Sequence, residues 1–101
     1  MSDLHSEAAD ALFKAILSLK DEAECYAFFE DLCTVGELQA MSQRYHVARL
    51  LRSGLVYSEV GRISGASSAT ISRVNRCLQY GSGGYRLLLD RVEGPSPAEE
   101  K

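Results

Sequence analysis

No apolar run in the 101 residues approaches the ~20 needed to span a bilayer. The first dozen residues, MSDLHSEAADAL, lack the basic flank and continuous apolar core of a signal peptide. These two absences lead to the expectation of a cytoplasmic protein. The three cysteines, Cys25, Cys33 and Cys77, are odd in number, widely spaced and without a CxxC pair. That excludes a disulfide framework and the usual zinc spacing, and leaves three small semi-buried residues. There are only two histidines and they are far apart: His5 lies near the N-terminus, and His46 sits in an arginine-rich stretch among no carboxylates. No glycine-rich loop has the spacing and lysine of a phosphate cradle, so enzyme chemistry has no visible carrier. No stretch alternates long enough to be a strand, and there is no internal repeat. The chain is long enough for one domain with a modest core, and it reads as all-α.

The charge is unevenly spread. The net is −3, yet residues 44–76 hold six Arg and one Glu, a local +5. Residues 1–43 hold two Lys and nine Asp or Glu, a local −7. Phosphate attraction decays over ~8–10 Å, so a basic segment in an acidic chain points to nucleic acid better than the whole-chain balance does. The alternative is a solvated helix face.

Helical periodicity predicts six helices. The first spans residues 3–19, with Leu4, Ala8, Ala11, Leu12, Ala15, Ile16 and Leu19 on one face. Asp21 with Glu24 resembles a capping box and opens a second helix to about Leu32. Its apolar residues, Ala23, Tyr26, Ala27, Phe28, Phe29 and Leu32, cover so much surface that one neighbour is not enough. Thr34 and Glu37 form a closer capping box and open the longest helix, from Val35 to Ser53, with Gly54 after it. Its stripe runs through Leu38, Met41, Tyr45, Ala48 and Leu51, with Val47 and Leu50 beside it. A short helix follows from Ser58, as its cap, to Ser64. Gly65-Ala66 makes the turn, and Ser67 or Ser68 caps a helix to Tyr80. A last helix spans Tyr85 to Glu93, leaving residues 1–93 as the folded domain and 94–101 as a polar, disordered tail.

The pair 58–64 and 68–80 has the layout of a helix-turn-helix. Val60 and Ile63 bury the first helix, Gly61 allows close approach, and Gly65 tolerates the turn's positive φ. Ala66, Ile71, Val74 and Leu78 pack the second. Ser67, Ser68, Ala69, Thr70, Ser72 and Arg73 lie where a recognition helix meets base edges, and Tyr57, Ser58, Arg62 and Arg76 suit the phosphate backbone.

The stretch GASSATISRVNRCLQYG, with TVGELQAMSQRYHVARLLRSG upstream, resembles the Trp-repressor superfamily, most closely its YerC/YecD-like branch. The resemblance implies a six-helix all-α fold, an intertwined homodimer and a near-palindromic DNA operator. It also implies a possible amino-acid-like corepressor. Two arginines would sandwich it, at Arg44 and Arg73, and backbone carbonyls of Asp31, Cys33 and Thr34 would take its ammonium group. The family's neighbouring serine, glycine and lysine are Cys77, Val74 and Gln79 in this chain. The function implied is a DNA-binding transcriptional regulator, a repressor. The rival is an all-α dimeric interaction module that does not bind DNA.

Overall fold

Short polar side chains set where the first three helices begin. The structure is a computed structural model that describes residues 5–95. Ser6 is extended, and its hydroxyl accepts from the Ala9 N–H at 3.0 Å, so α1 spans Glu7–Leu17. This is shorter than the 3–19 expected. Ser6 competes successfully as the cap, and Ser18 ends the helix by donating its hydroxyl to the Ala15 carbonyl. Leu19 therefore lies beyond the helix, and Asp3 and Leu4 lie outside the described residues. Asp21 caps α2 (Glu22–Leu32) by accepting from the Glu24 N–H at 2.9 Å, and the Glu24 carboxylate accepts from the Lys20 N–H. Thr34 and Glu37 form the full reciprocal box: Glu37 N–H to Thr34 Oγ1 at 3.1 Å, Thr34 N–H to Glu37 Oε1 at 2.8 Å. It opens α3 (Val35–Arg52), which ends one residue before the expected Ser53.

The chain divides into two compact units, Met1–Leu38 and Gln39–Lys101. In the first, Phe28 and Phe29 meet edge to face, with ring centroids 5.3 Å apart. No side chain of α1 or α2 is buried, and Phe13, Leu17, Tyr26 and Leu32 are exposed.

The second unit holds the core. It contains the rest of α3 with α4 (Tyr57–Ser64), α5 (Ser68–Tyr80) and α6 (Gly84–Glu93). Val47 and Ala48 of α3, Val60 of α4, Ile71 and Val74 of α5 and Leu89 of α6 are buried together. The stripe on α3 thus centres on Val47 and Ala48, whereas Met41 is 37% exposed. Gly54, at φ +98°, turns the chain out of α3. Two arginines tie α3 to α6. Arg49 pairs with Glu93 at 3.0 Å, and Arg52 pairs with Asp90 at 2.9 Å while also donating to the Gly94 carbonyl. Arg86 of α6 donates to the Leu78 carbonyl of α5. Helix α6 starts at Gly84, one residue earlier than expected, because Gly83 supplies the left-handed entry. Of the expected tail, Gly94 and Pro95 are described; residues 96–101 lie outside the described residues.

Candidate nucleic-acid interface

Helix α4 begins at Tyr57, and Val56 occupies the cap position with no side-chain bond. Ser58 is therefore not the cap. It sits inside the first turn, exposed, beside an exposed Tyr57. Val60 is fully buried, but Ile63 is 43% exposed, which corrects the expectation that both pack inward. The core lies on the Val60 side of this eight-residue helix. Gly61 is also less constrained than expected. An added Cβ would sit 3.6 Å from Ile71 Cδ1 and 3.7 Å from the Ala66 carbonyl, which is ordinary contact.

Gly65 takes φ 75° and ψ 5°, the left-handed conformation that a turn between two helices needs and that side chains resist. Its N–H donates to the Gly61 carbonyl at 2.9 Å. The Ser64 hydroxyl donates to the Val60 carbonyl at 2.6 Å and accepts from the Ala66 N–H at 3.1 Å. The Ser64 carbonyl accepts from Gln43 Nε2 of α3 at 3.3 Å. The partnership of Gln43 with Ser64 spans 21 residues, and no periodicity or motif announces it.

Ser67 is the cap of α5. Its hydroxyl accepts from the Thr70 N–H at 3.2 Å and lies 3.2 Å from Thr70 Oγ1. Ile71 and Val74 are buried and Leu78 is half-buried, so α5 packs through one face. The opposite face carries Ser68, Ala69, Ser72, Arg73, Arg76 and Cys77, all exposed. Thr70 is half-buried and stands at the edge of that face. Exposure of Cys77 departs from the expected semi-buried cysteine; Cys25 and Cys33 are half-buried.

The arginines of the basic segment divide into two sets. Arg49 and Arg52 are committed to α6. Arg62 is committed to Glu59 through Nη2 to Oε1 at 2.8 Å and Nε to both carboxylate oxygens at 3.2 Å. The hydrogen bonds from Arg62, and then its charge, hold the Glu59 carboxyl below its ordinary pKa; the same pairing raises that of Arg62. Arg44, Arg73 and Arg76 pair with no other described residue. Two of these three, Arg73 and Arg76, lie on the exposed face of α5.

The residues matched to a corepressor are dispersed in character. Arg44 is half-buried in α3, and Arg73 and Cys77 are exposed on α5. The Thr34 hydroxyl is used by the cap and its carbonyl accepts from the Leu38 N–H. Val74 is part of the core, only 1% exposed. A cleft of about 410 Å³ opens elsewhere, between α3 and α6, lined by His46, Arg49, Arg52, Ser53, Leu89 and Glu93 among others. None of the residues assigned from the sequence to DNA or to a corepressor lines it. Among the described residues no helix is long and apolar enough to cross a membrane, and no cluster of three His, Cys, Asp or Glu could hold a metal ion.

Residues 7–93 match a family model described as Trp repressor protein. The chain is 54% identical over 90 residues to the protein YerC of Bacillus subtilis (strain 168), covering 89% of this chain and 86% of that one. A solved structure of a candidate Trp repressor from Staphylococcus aureus superposes with a TM-score of 0.89 at 45% identity, covering 95% of this chain and 99% of that one. A TrpR-like protein from Eubacterium eligens ATCC 27750 superposes with a TM-score of 0.86 at 50% identity, covering 89% and 93%.

Proposed function

The chain belongs to the Trp repressor family, and from that premise we propose that it is a dimeric, sequence-specific DNA-binding regulator that represses transcription. The observation that carries this reading is the two-faced α5. Ile71 and Val74 anchor it in the core, while Ser68, Ala69, Ser72 and Arg73 are left exposed around its N-terminal half. A helix held in this way can enter a major groove without losing its packing. Small side chains let its backbone come close to the bases. Hydroxyls bond to either base type, and the Ala69 methyl can meet a thymine methyl. Arg76 and the exposed residues at the start of α4, Tyr57 and Ser58, suit phosphate contacts that fix the register.

A second copy of the chain is the proposed cover for the exposed apolar side chains of α1 and α2. Two copies related by a twofold axis present two recognition helices to half-sites ~34 Å apart, which calls for a near-palindromic operator. Arg73 is exposed and unpaired among the described residues, so we assign it to DNA. An amino-acid-like effector sharing Arg44 and Arg73 would have to fit beside a Val74 that already belongs to the core.

The test is a mobility-shift titration of the purified protein on genomic fragments at several salt concentrations. Binding at low salt that weakens linearly in log–log form as salt rises supports the regulator. No binding at low salt sinks it and leaves the all-α interaction module.

A further inference from the structure

Four of the last carbonyls of any helix lack partners within it, and they must be satisfied from outside. In α4 the last residue, Ser64, has its carbonyl taken by the side-chain amide of Gln43, at 3.3 Å and partly buried. Gln43 stands one turn ahead of Val47, so it shares the face of α3 that enters the core. Ser64 is held at a second atom too. Its hydroxyl reaches back to the Val60 carbonyl and forward to the Ala66 N–H. One residue therefore joins α3, the interior of α4 and the turn that launches α5.

The remaining packing of this region is apolar: Val47 and Ala48 against Val60, Ile71 and Val74. Apolar packing holds helices together but is non-directional. A hydrogen bond to a fixed carbonyl adds direction. We propose that Gln43, acting through Ser64, is a positioning residue that sets the angle at which α5 is presented to DNA, and so governs how well the operator is distinguished from other sequences. This rests on the DNA-binding reading of the preceding subsection. A small misplacement of the reading head costs base contacts, which need fixed geometry. Phosphate attraction tolerates it.

The experiment compares wild type, Gln43→Met and Ser64→Ala. Methionine keeps the length and fills the space without donating. Ser64→Ala keeps the carbonyl but removes the two hydroxyl bonds. Operator fragments selected from a random DNA pool with the wild-type protein are titrated against unrelated duplexes of the same length. Each variant's thermal unfolding is followed by circular dichroism. The expected result is a loss of about three- to tenfold in operator affinity for Gln43→Met. Affinity for unrelated DNA and the slope of binding against salt stay as in wild type. Ser64→Ala moves the same way, and the double variant loses less than the product of the two single effects, because the residues act as one unit. Operator affinity unchanged in Gln43→Met overturns the proposal. So does an equal loss for operator and unrelated DNA, which marks a merely structural role and is accompanied by earlier melting. A wild type that binds no duplex at all is a different outcome: it removes the regulator reading, and this proposal falls with it.

Discussion

Helices α2 and α5 are of similar length, and each is capped by a side-chain oxygen from Asp21 or Ser67. They nevertheless end differently. Helix α5 buries Ile71 and Val74, whereas α2 buries nothing, although it carries Tyr26, Phe28, Phe29 and Leu32. Capping chemistry is local and forms wherever the letters allow. Burial needs a neighbour, and α5 has one in the same chain. The contrast separates what a helix needs in order to start from what it needs in order to be stable: isolated helices of this length are marginal in water, and packing of an apolar face supplies most of their stability.

The strongest way to probe the contrast is to empty the side that has a core. Leu89 is fully buried, the contribution of α6 to the cluster of Val47, Val60, Ile71 and Val74. Leu89→Ala should cost about 2–5 kcal/mol of unfolding free energy. Urea unfolding followed by circular dichroism measures it. A loss under about 1 kcal/mol, in the range of surface substitutions, would mean that α6 is not part of the cooperative core.

The next probe addresses the other side. Leu17 is 84% exposed in the single chain. If nothing covers it, Leu17→Asp should change stability by no more than about 0.5 kcal/mol. If a second copy covers it, a carboxylate enters an apolar interface, and the dimer dissociation constant should rise by about tenfold or more. Sedimentation over a range of protein concentrations reads this directly. An unchanged dimer removes Leu17 from the interface.

A smaller effect tests the caps themselves. Thr34→Ala breaks a bond in the reciprocal box that opens α3 and should cost about 1 kcal/mol. Ser58→Ala, by contrast, removes no cap bond, because Val56 holds that position in α4, and should stay within about 0.5 kcal/mol. Thermal melts of the two variants side by side give the comparison, and equal losses would contradict the cap assignment.

Those caps also show how far the letters reach. The Thr34–Glu37 box, the Asp21 cap and the turn glycine Gly65 were legible because each is settled within three or four residues. So was the packed face of α5, since Ile71, Val74 and Leu78 repeat at helical spacing. The start of α1 was placed too early because the apolar spacing runs on from Leu4 through Ser6, whose hydroxyl caps the helix instead. Ile63 was misplaced because a three-residue step from Val60 matches the helix period without saying how wide the buried sector is. Charge was the least legible feature. The +5 of residues 44–76 looks like one basic surface, yet Arg49 and Arg52 are tied to Glu93 and Asp90, some 40 residues on. Only the return of α6 onto α3 brings those partners together.

The finest probe concerns the one arginine on α4. Arg62 and Glu59 are three residues apart, with side chains 68% and 44% exposed, so solvent screens their pairing and it does little for the fold. Its consequence lies in DNA binding. If α4 faces the phosphates, Glu59 both repels them and holds the guanidinium that would otherwise meet them. Glu59→Gln should tighten binding by a few-fold at low salt and steepen the log–log salt dependence by about 0.9, the worth of one more neutralised phosphate. Acid should act in the same direction. The Glu59 pKa lies below its ordinary 4.5, so the pair stabilises the fold above that pH and loses this contribution as pH falls through the lowered value. Protonated there, Glu59 releases Arg62 and stops repelling phosphate. Fluorescence anisotropy of a labelled duplex, measured across salt for wild type and Glu59→Gln, decides the matter. Superimposable curves would mean that Arg62 does not face DNA and that phosphate contact falls to Arg73 and Arg76 on α5.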